Sequence, residues 1–448
     1  MIGQQWKLPD PTDLLTPDTF DVPAKTTYAR AYLQEWETDW PVRLYIQHLA
    51  VWNGLDEPDT PRKKIGASCF IRVFNDILED MRAGRFDFSR SPILVNAKGK
   101  CVDGRHRLAA AIALKLPVEV QEAGAQVGQE VADYWYFRDM KHHHPEGLTT
   151  KWADAMTIEY CRLKPKVQVT AIPARPRKEV LSVMKKFGTP IYERQVTLDN
   201  DGQLNLIMEL DGGRDRPDEI ETRHLGAEAK ARHFLTKHRE IGVYVLELSS
   251  SYDAEILKSD LRGSCGIEND SVHITNTKGG ALRACRALLN DNGLHFLNTA
   301  RPVLFPNYQA VLREYRNFVT SQSEKDEGAW GNENFAVDGD AVLAAYGLRD
   351  VTGLDFVSRK NAEARSSLIH NNNDQLSYHG ITVDELLYNP ENHFWVSGIK
   401  FIALPAIRRM KCKRGRERDR EDIKMIDSLR NLSHETLHGE PVSGRTSR

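Results

Sequence analysis

The feature that most constrains the fold is a stretch at residues 91–122, SPILVNAKGKCVDGRHRLAAAIALKLPVEVQE. Apolar, β-prone segments at 93–95 and 101–102 are separated by a polar turn, and a third such segment follows at 118–120. The alanine-rich segment at 108–114 favours a helix, whereas the β-branched segments favour strands. The stretch therefore predicts strand, turn, strand, helix and strand within about thirty residues, which is an α/β arrangement.

Five residues fall where the predicted helix begins: Asp103, Gly104, Arg105, His106 and Arg107. A helix N-terminus carries unpaired N–H groups and the positive end of the helix dipole, so it accepts phosphate readily. Arg105, His106 and Arg107 would strengthen such an anion site. Asp103 is placed to act as a base or to help hold a metal. The alternative interpretation is a charged surface turn that binds nothing.

The Asp-Gly-Arg-His-Arg motif between these strands and this helix resembles the ParB/sulfiredoxin-like superfamily, whose fingerprint is a Gly-x-x-Arg-type helix start after a short β-hairpin. Members of that family grip nucleotide phosphates with the motif. They include CTP-binding partition proteins, ATP-using sulfiredoxins, free-serine kinases and proposed nucleases. The form found here is most similar to the small-molecule kinase and uncharacterised phage-type branches. The resemblance covers about residues 60–125.

The resemblance implies a role for each residue of the motif. Gly104, Arg105 and Arg107 would bind the phosphates of a nucleoside triphosphate, ATP or CTP, and His106 would bind or polarise an oxygen. Asp103 would activate an acceptor or organise Mg²⁺, so that Asp103 and His106 are the candidate catalytic residues. The predicted partners are a nucleotide and a small-molecule acceptor.

Bulk properties set wider limits. At 448 residues the chain is too long for one ordinary core, and two or three domains are expected. Its 61 basic and 63 acidic residues create no global basic field of the kind that indicates nucleic acid. The six cysteines have no C-x-x-C pairing, which argues against a zinc site and a disulfide framework. Without a membrane-length apolar run or a signal peptide, the sequence predicts a cytoplasmic protein with no membrane partner.

The pattern along the chain predicts a multidomain α/β protein. Residues 1–60 are interpreted as an N-terminal arm, 61–145 as the ParB/sulfiredoxin-like domain and 150–305 as a mixed α/β domain. A nucleotidyltransferase-like domain is expected at 308–430, followed by a disordered tail at 431–448. The oligomeric state is not indicated.

Three features of the middle of the chain attract attention. The run Lys141-His142-His143-His144-Pro145 has no partner carboxylate or cysteine at ligand spacing, so a solvated loop is expected there rather than a metal site. Residues 199–202, Asp-Asn-Asp-Gly, predict a hairpin turn between strands at 192–198 and 204–210. The polar loop at 276–280 is either a functional rim or a plain connector.

The passage at residues 335–357 resembles polymerase-β-like nucleotidyltransferases, which use a hydrophobic residue, two small residues, a spacer of about ten residues and Asp-h-Asp. The likeness is degenerate. Gly353 stands where the first metal carboxylate is expected, and Asp340 stands where Ser or Gly is usual. Asp355 alone remains of the pair as a metal ligand.

A basic run follows at residues 408–420, with eight Lys or Arg in thirteen positions. Minimal nucleotidyltransferases often carry such a helix, and the likeness implies that Lys411 and Arg416 bind a phosphate group. The alternatives are a helix lined with solvated, salt-bridged charges and a surface that contacts nucleic-acid phosphates.

The sequence thus favours a nucleotide-binding enzyme that transfers a phosphoryl group through the first motif to an acceptor that it does not name. One alternative is a ParB-like, CTP- and DNA-associated binding protein or nuclease. The near-neutral charge and the lack of an evident helix-turn-helix after the motif count against it. A second alternative is an active nucleotidyltransferase at 308–430.

Overall fold

The computed structural model describes these residues: 4–57, 63–124, 131–139, 147–211, 239–249, 253–265, 272–301, 305–325, 331–360, 362 and 366–438. The chain separates into two compact units. Unit 1 comprises Met1–Thr197 and Arg232–Asn290, and unit 2 comprises Leu198–Ala231 and Asp291–Arg448. The predicted domain boundaries do not coincide with this division, because the chain leaves unit 1 after residue 197 and returns to it at residue 232.

Both units combine helices with strands, so the predicted α/β class is confirmed. The strands are β1 (Gln5–Leu8), β2 (Asp56–Glu57), β3 (Lys64–Ile65), β4 (Ile93–Val95), β5 (Cys101–Asp103), β6 (Val118–Glu122), β7 (Val167–Pro173), β8 (Gly188–Thr197), β9 (Glu240–Leu248), β10 (His273–Ile274), β11 (Phe335–Asp338), β12 (Leu354–Ser358), β13 (Ile369–Asn371), β14 (His393–Val396) and β15 (Ile399–Ile402).

The described helices are α1 (Val22–Leu33), α2 (Trp40–Asn53), α3 (Ala67–Arg82), α4 (Arg105–Leu114), α5 (Tyr134–Asp139), α6 (Thr150–Leu163), α7 (Arg177–Met184), α8 (Asn200–Asp211), α9 (Asp253–Cys265), α10 (Lys278–Leu288), α11 (Asp291–Thr299), α12 (Pro306–Lys325), α13 (Asp340–Ala345), α14 (Leu376–His379), α15 (Val383–Tyr388), α16 (Leu404–Arg414) and α17 (Glu417–His438). Helix α17 continues to His438, within the predicted tail at 431–448. The rest of that tail and the histidine run at 142–144 lie outside the described residues.

The first sheet of unit 1 has the order β1-β6-β4-β5. β6 pairs antiparallel with β1 and parallel with β4, and β4 pairs antiparallel with β5. The strand, turn, strand, helix, strand order predicted for residues 91–122 is confirmed by β4, β5, α4 and β6. The buried alanines Ala109, Ala110 and Ala111 let α1 and α3 pack closely on α4.

The second sheet of unit 1 has the order β10-β7-β9-β8, and its neighbouring strands are antiparallel. Strand β7 is buried along its whole length: β9 and β10 pair with its two edges, and helix α10 packs against it. The hydrophobic core that this sheet shares with helices α7 and α9 consists of Ile172, Val180, Leu181, Val183, Met184, Tyr244, Leu246, Leu248, Leu257, Leu261, Val272 and Ile274.

The hairpin predicted at residues 199–202 is wrong, because residues 204–210 belong to helix α8. The carboxylate of Asp199 accepts a hydrogen bond from the Gly202 N–H at 2.7 Å, and its carbonyl accepts from the Gln203 N–H at 2.9 Å. These are the bonds of a helix N-cap. Asp-x-x-Gly therefore starts a helix here, since Asp serves caps and turns through the same side-chain bond to the backbone.

Unit 2 is built on a five-stranded sheet of order β13-β12-β11-β15-β14. β11 pairs antiparallel with β12 and parallel with β15, while β12 pairs parallel with β13. All four residues of β11 are buried, so this central strand carries the core of the sheet. Among the described helices of the chain, none combines the length and the apolar character that crossing a membrane requires.

Candidate functional site

The turn from β5 into α4 is closed by Gly104, whose φ of 93° lies in the left-handed region. This conformation favours glycine because other residues are strained there. A Cβ on Gly104 would also stand 3.0 Å from Nη2 of Arg107. The missing side chain therefore lets the Arg107 guanidinium fold back over the start of the helix.

Arg107 holds this turn together. Its Nη1 donates to the carbonyl oxygen of Ser91 at 3.1 Å and to the Ser91 Oγ at 2.6 Å, and its Nη2 donates to Asp103 Oδ2 at 2.8 Å. The bonds join the first turn of α4 to the end of β5 and to the residues before β4. Arg107 was predicted to bind phosphate, but these bonds direct it to the protein itself.

Arg105 points the other way, into the protein. Its side chain is 9% exposed, its Nη1 lies 3.7 Å from Asp21 Oδ1, and its guanidinium carbon stands 5.2 Å from the centre of the Trp52 ring. Such a guanidinium over an indole face is stabilised by the cation–π interaction. The guanidinium is thus fixed in the wall of the pocket by Asp21 and Trp52.

His106 is enclosed by aromatic side chains. Its Nε2 lies 2.9 Å from the Tyr45 hydroxyl, and its ring meets Phe74 edge-on at 4.9 Å between centroids. Burial, with smaller contributions from the charges of Lys25 and Lys64, holds the pKa of His106 well below its ordinary value of 6.5. The imidazole is therefore neutral at pH 7, so it can bind an oxygen by a hydrogen bond but adds no positive charge.

Three buried polar residues of α1, α2 and the preceding turn lie beneath this helix start. Lys25 Nζ donates to Asp21 Oδ2 at 2.5 Å and lies 2.9 Å from His48 Nε2. Burial would raise the pKa of Asp21, but Lys25 and Arg105 outweigh it and leave the pKa below its ordinary value. Burial lowers the pKa of Lys25, and Asp21 opposes that shift.

These side chains surround a pocket of about 100 Å³ at the N-terminus of α4. Its other wall comes from α2 and from the short strands β2 and β3, where Glu57 and Lys64 form an ion pair. Among the predicted residues, Asp103, Gly104, Arg105 and His106 line the pocket, and Arg107 does not. The full lining is Asp21, Lys25, Leu49, Trp52, Glu57, Lys64, Val102, Asp103, Gly104, Arg105 and His106.

Sequence reasoning missed the part of the lining that comes from residues 1–60, which was interpreted as an arm. Asp21 and Lys25 had a detectable signal, because they are opposite charges at i and i+4 at the start of a mostly apolar helix. Trp52 and Glu57 had no sequence signal that would place them at the pocket, and neither had Lys64, which follows this segment. The lining holds three cations, Lys25, Lys64 and Arg105, and three carboxylates, so its formal charges balance.

In unit 2, the structure places Lys411 away from solvent. Its side chain is fully buried, and its Nζ donates to Asp340 at 2.6 Å and to Asp422 at 2.7 Å. Asp419 lies 3.7 Å from the same nitrogen. Lys411 is thus surrounded by carboxylates and is positioned to stabilise the packing of α16 and α17.

Arg416 is exposed on the turn between α16 and α17, where its Nη2 contacts Gln375 at 3.4 Å. Asp355 lies at the end of the sheet, opposite Asp338. Burial, followed by the nearby charge of Asp338, raises the pKa of Asp355. Within the described residues, no group of three or more His, Cys, Asp or Glu side chains is placed to hold a metal ion.

No protein-family model matches the chain, and comparison with the curated proteins and with the solved structures finds no match either. The likenesses to ParB/sulfiredoxin-like proteins and to nucleotidyltransferases therefore depend on the residues quoted for them.

Proposed function

We propose that unit 1 binds the phosphate groups of a nucleoside triphosphate at the N-terminus of α4 and transfers a phosphoryl group to an acceptor. The observation that supports this proposal is the pocket at the β5–α4 turn, where Lys25, Lys64 and Arg105 converge on a helix start. Unpaired N–H groups and cations together form the arrangement that phosphates prefer.

The size of the pocket limits which part of the ligand it accepts. Sites that enclose a whole small molecule measure about 300–1,000 Å³, whereas this pocket measures about 100 Å³. It therefore suits the phosphate chain, and the base and ribose would lie outside. Because ATP and CTP carry the same phosphate chain, the pocket does not distinguish them, and both nucleotides are tested.

The contacts assign a role to each residue. Arg105, held by Asp21 and Trp52, would clamp a phosphate oxygen, and Lys64 would exchange its partner Glu57 for a second one. His106, kept neutral by burial, would donate or accept one hydrogen bond from its free edge. Arg107 would act on the ligand indirectly, by holding the turn.

The transfer would proceed by direct displacement. An acceptor hydroxyl oxygen attacks the terminal phosphorus, the bond from that phosphorus to the bridging oxygen breaks, and the nucleoside diphosphate leaves. Asp103 takes the proton of the acceptor hydroxyl, since its carboxylate is 61% exposed at the pocket. Mg²⁺ would neutralise charge on the phosphates, because it commonly binds through substrate phosphates plus one or two carboxylates. Asp103 and Glu57 are the nearby candidates.

The test is isothermal titration of the full-length protein with MgATP and with MgCTP. One nucleotide is expected to bind, and Arg105→Ala is expected to weaken it about tenfold or more, equal to ~1.4 kcal/mol. Arg85→Ala is the matched control, since Arg85 is an exposed arginine of unit 1 that pairs with Asp80 away from the pocket. If neither nucleotide binds, or if both variants bind equally well, the proposal is wrong.

The DNA-associated alternative is tested separately by a gel-shift assay at low salt. DNA retention that weakens steeply with added salt would support it, because phosphate contacts release counterions. A protein that binds a nucleotide and retains no DNA at low salt would support phosphotransfer instead.

A further inference from the structure

Two carboxylates meet at the end of the central strands of unit 2. Asp338 ends β11, Asp355 is the second residue of β12, and the two are directly paired in the antiparallel register. Directly opposed residues point to the same face of a sheet, with Cβ atoms about 4.5–5.5 Å apart. The carboxylates therefore share one face, although they are distant in sequence.

The two carboxylate oxygens of Asp338 differ in their hydrogen bonding. Its side chain is fully buried, and Oδ2 accepts from the Asn372 side-chain amide at 2.8 Å and lies 3.2 Å from His379 Nε2. Oδ1 is also buried, yet no hydrogen bond reaches it from the described residues. A buried anionic oxygen in this state calls for a positively charged ligand.

Asp355 lies beside the glycine turn that follows β11. The neighbouring turn residue Gly339 has a φ of 64°, and a Cβ placed on it would stand 3.1 Å from Asp355 Oδ2. A side chain at residue 339 would therefore crowd this oxygen. On its other side Asp355 Oδ1 lies 3.7 Å from His370 Nδ1, and the carboxylate is 39% exposed. A ligand can therefore reach Asp355 from solvent.

We propose that Asp338 and Asp355 together hold one hard divalent cation, Mg²⁺ or Mn²⁺, on the face of the sheet that they share. Mg²⁺ is commonly bound by one or two carboxylates, with water and ligand phosphates completing its octahedron. The inference is independent of unit 1 and of its nucleotide.

The charges near Asp338 and Asp355 indicate which class of ligand a cation bound there would bind in turn. Arg414 lies close enough to influence Asp355, and Arg418 is 64% exposed at 3.5 Å from Asp340. Arginines next to a carboxylate-bound cation suit a phosphate-bearing ligand, whose oxygens contact the metal and the guanidinium groups together. The proposed ligand class is therefore a phosphate ester or diphosphate.

The test is a titration of the full-length protein with Mn²⁺, followed by the electron paramagnetic resonance signal of the free ion, in the absence of nucleotide. One Mn²⁺ is expected to bind the wild-type chain. Asp355→Asn is expected to weaken that binding tenfold or more, and Asp338→Asn to abolish it. The control is Asp374→Asn, an exposed aspartate of the same unit whose carboxylate accepts from its neighbour Gln375.

Asp338→Asn changes a buried residue, so circular dichroism must show that the variant is folded. Asp355→Asn changes a partly exposed residue and keeps the test decisive if the first variant does not fold. Failure of the wild-type chain to bind Mn²⁺ would overturn the proposal in favour of a pair that shares a proton. Unchanged Mn²⁺ binding in Asp355→Asn would overturn it as well, since the bound ion would then lie elsewhere.

Discussion

The guanidinium of Arg105 lies 3.7 Å from the carboxylate of Asp21 and joins the start of α4 to the start of α1. Asp21 also accepts from Lys25, so one buried carboxylate balances two cations. The pocket residues predicted from the sequence thus depend on a segment of the chain that precedes them by more than eighty positions. Four predictions follow from this and related contacts.

Asp21→Asn is expected to destabilise unit 1 by about 3–5 kcal/mol, because removing one partner of a buried ion pair leaves uncompensated buried charge. Lys25 and Arg105 would be the charges left behind. Urea unfolding followed by tryptophan fluorescence measures the loss. Asp87→Asn, which alters an exposed aspartate paired with Arg90, should leave the midpoint unchanged. Equal midpoints for the two variants would show that Asp21 is not needed to compensate the charges of Lys25 and Arg105.

Stability is expected to fall as the pH decreases below about 6.5. Burial holds the pKa values of His48 and His106 well below the ordinary 6.5, so both stay neutral in the folded protein. The unfolded chain takes up protons at these residues near pH 6.5 and the folded chain does not, which favours unfolding. Their contribution is thus complete above pH 6.5 and is lost as the pH falls toward the folded-state values.

Melting temperatures measured from pH 8 to pH 5 test this expectation. The slope below pH 6.5 should be shallower in His48→Gln than in the wild-type protein, because one of the two titrating groups is gone. A slope that the substitution leaves unaltered would assign the acid sensitivity to other residues.

Gly104→Ala is expected to destabilise the protein more than Gly99→Ala. Both glycines have positive φ, 93° and 73°, so both substitutions incur the strain of a left-handed residue, about 1–2 kcal/mol. A Cβ at Gly99 meets no atom within 4 Å, whereas one at Gly104 meets Arg107 at 3.0 Å. Differential scanning calorimetry gives the two losses, and their difference isolates the displacement of Arg107. Equal losses would mean that Arg107 moves aside freely.

Lys411→Met is expected to destabilise unit 2 by about 3–5 kcal/mol, since Asp340 and Asp422 would lose the cation between them. Lys413→Met is the control, because Lys413 is exposed and donates to the Ser377 carbonyl. Chemical unfolding of the two variants distinguishes a structural role from the phosphate-binding role that the sequence predicted. A stable Lys411→Met protein would return Lys411 to the list of ligand-binding candidates.

The elements at residues 91–122 follow from local sequence patterns alone. β-branched segments, a polar turn and alanines act through neighbouring residues, and Gly104 sits where a glycine is needed to turn the chain into α4. Local signals also have a limit. Asp199 and Gly202 satisfied the pattern of a hairpin turn, yet in the structure they cap α8.

Which charged side chains meet depends on packing between distant parts of the chain. Trp52 and Lys64 reach the pocket through the packing of α2 and β3, and Asp338 faces Asp355 through the register of β11 and β12. The same packing buried Lys411 among carboxylates and turned Arg107 toward Ser91. Burial and the distances between charged groups determine what an ionisable side chain does, and both are set by contacts between residues far apart in the sequence.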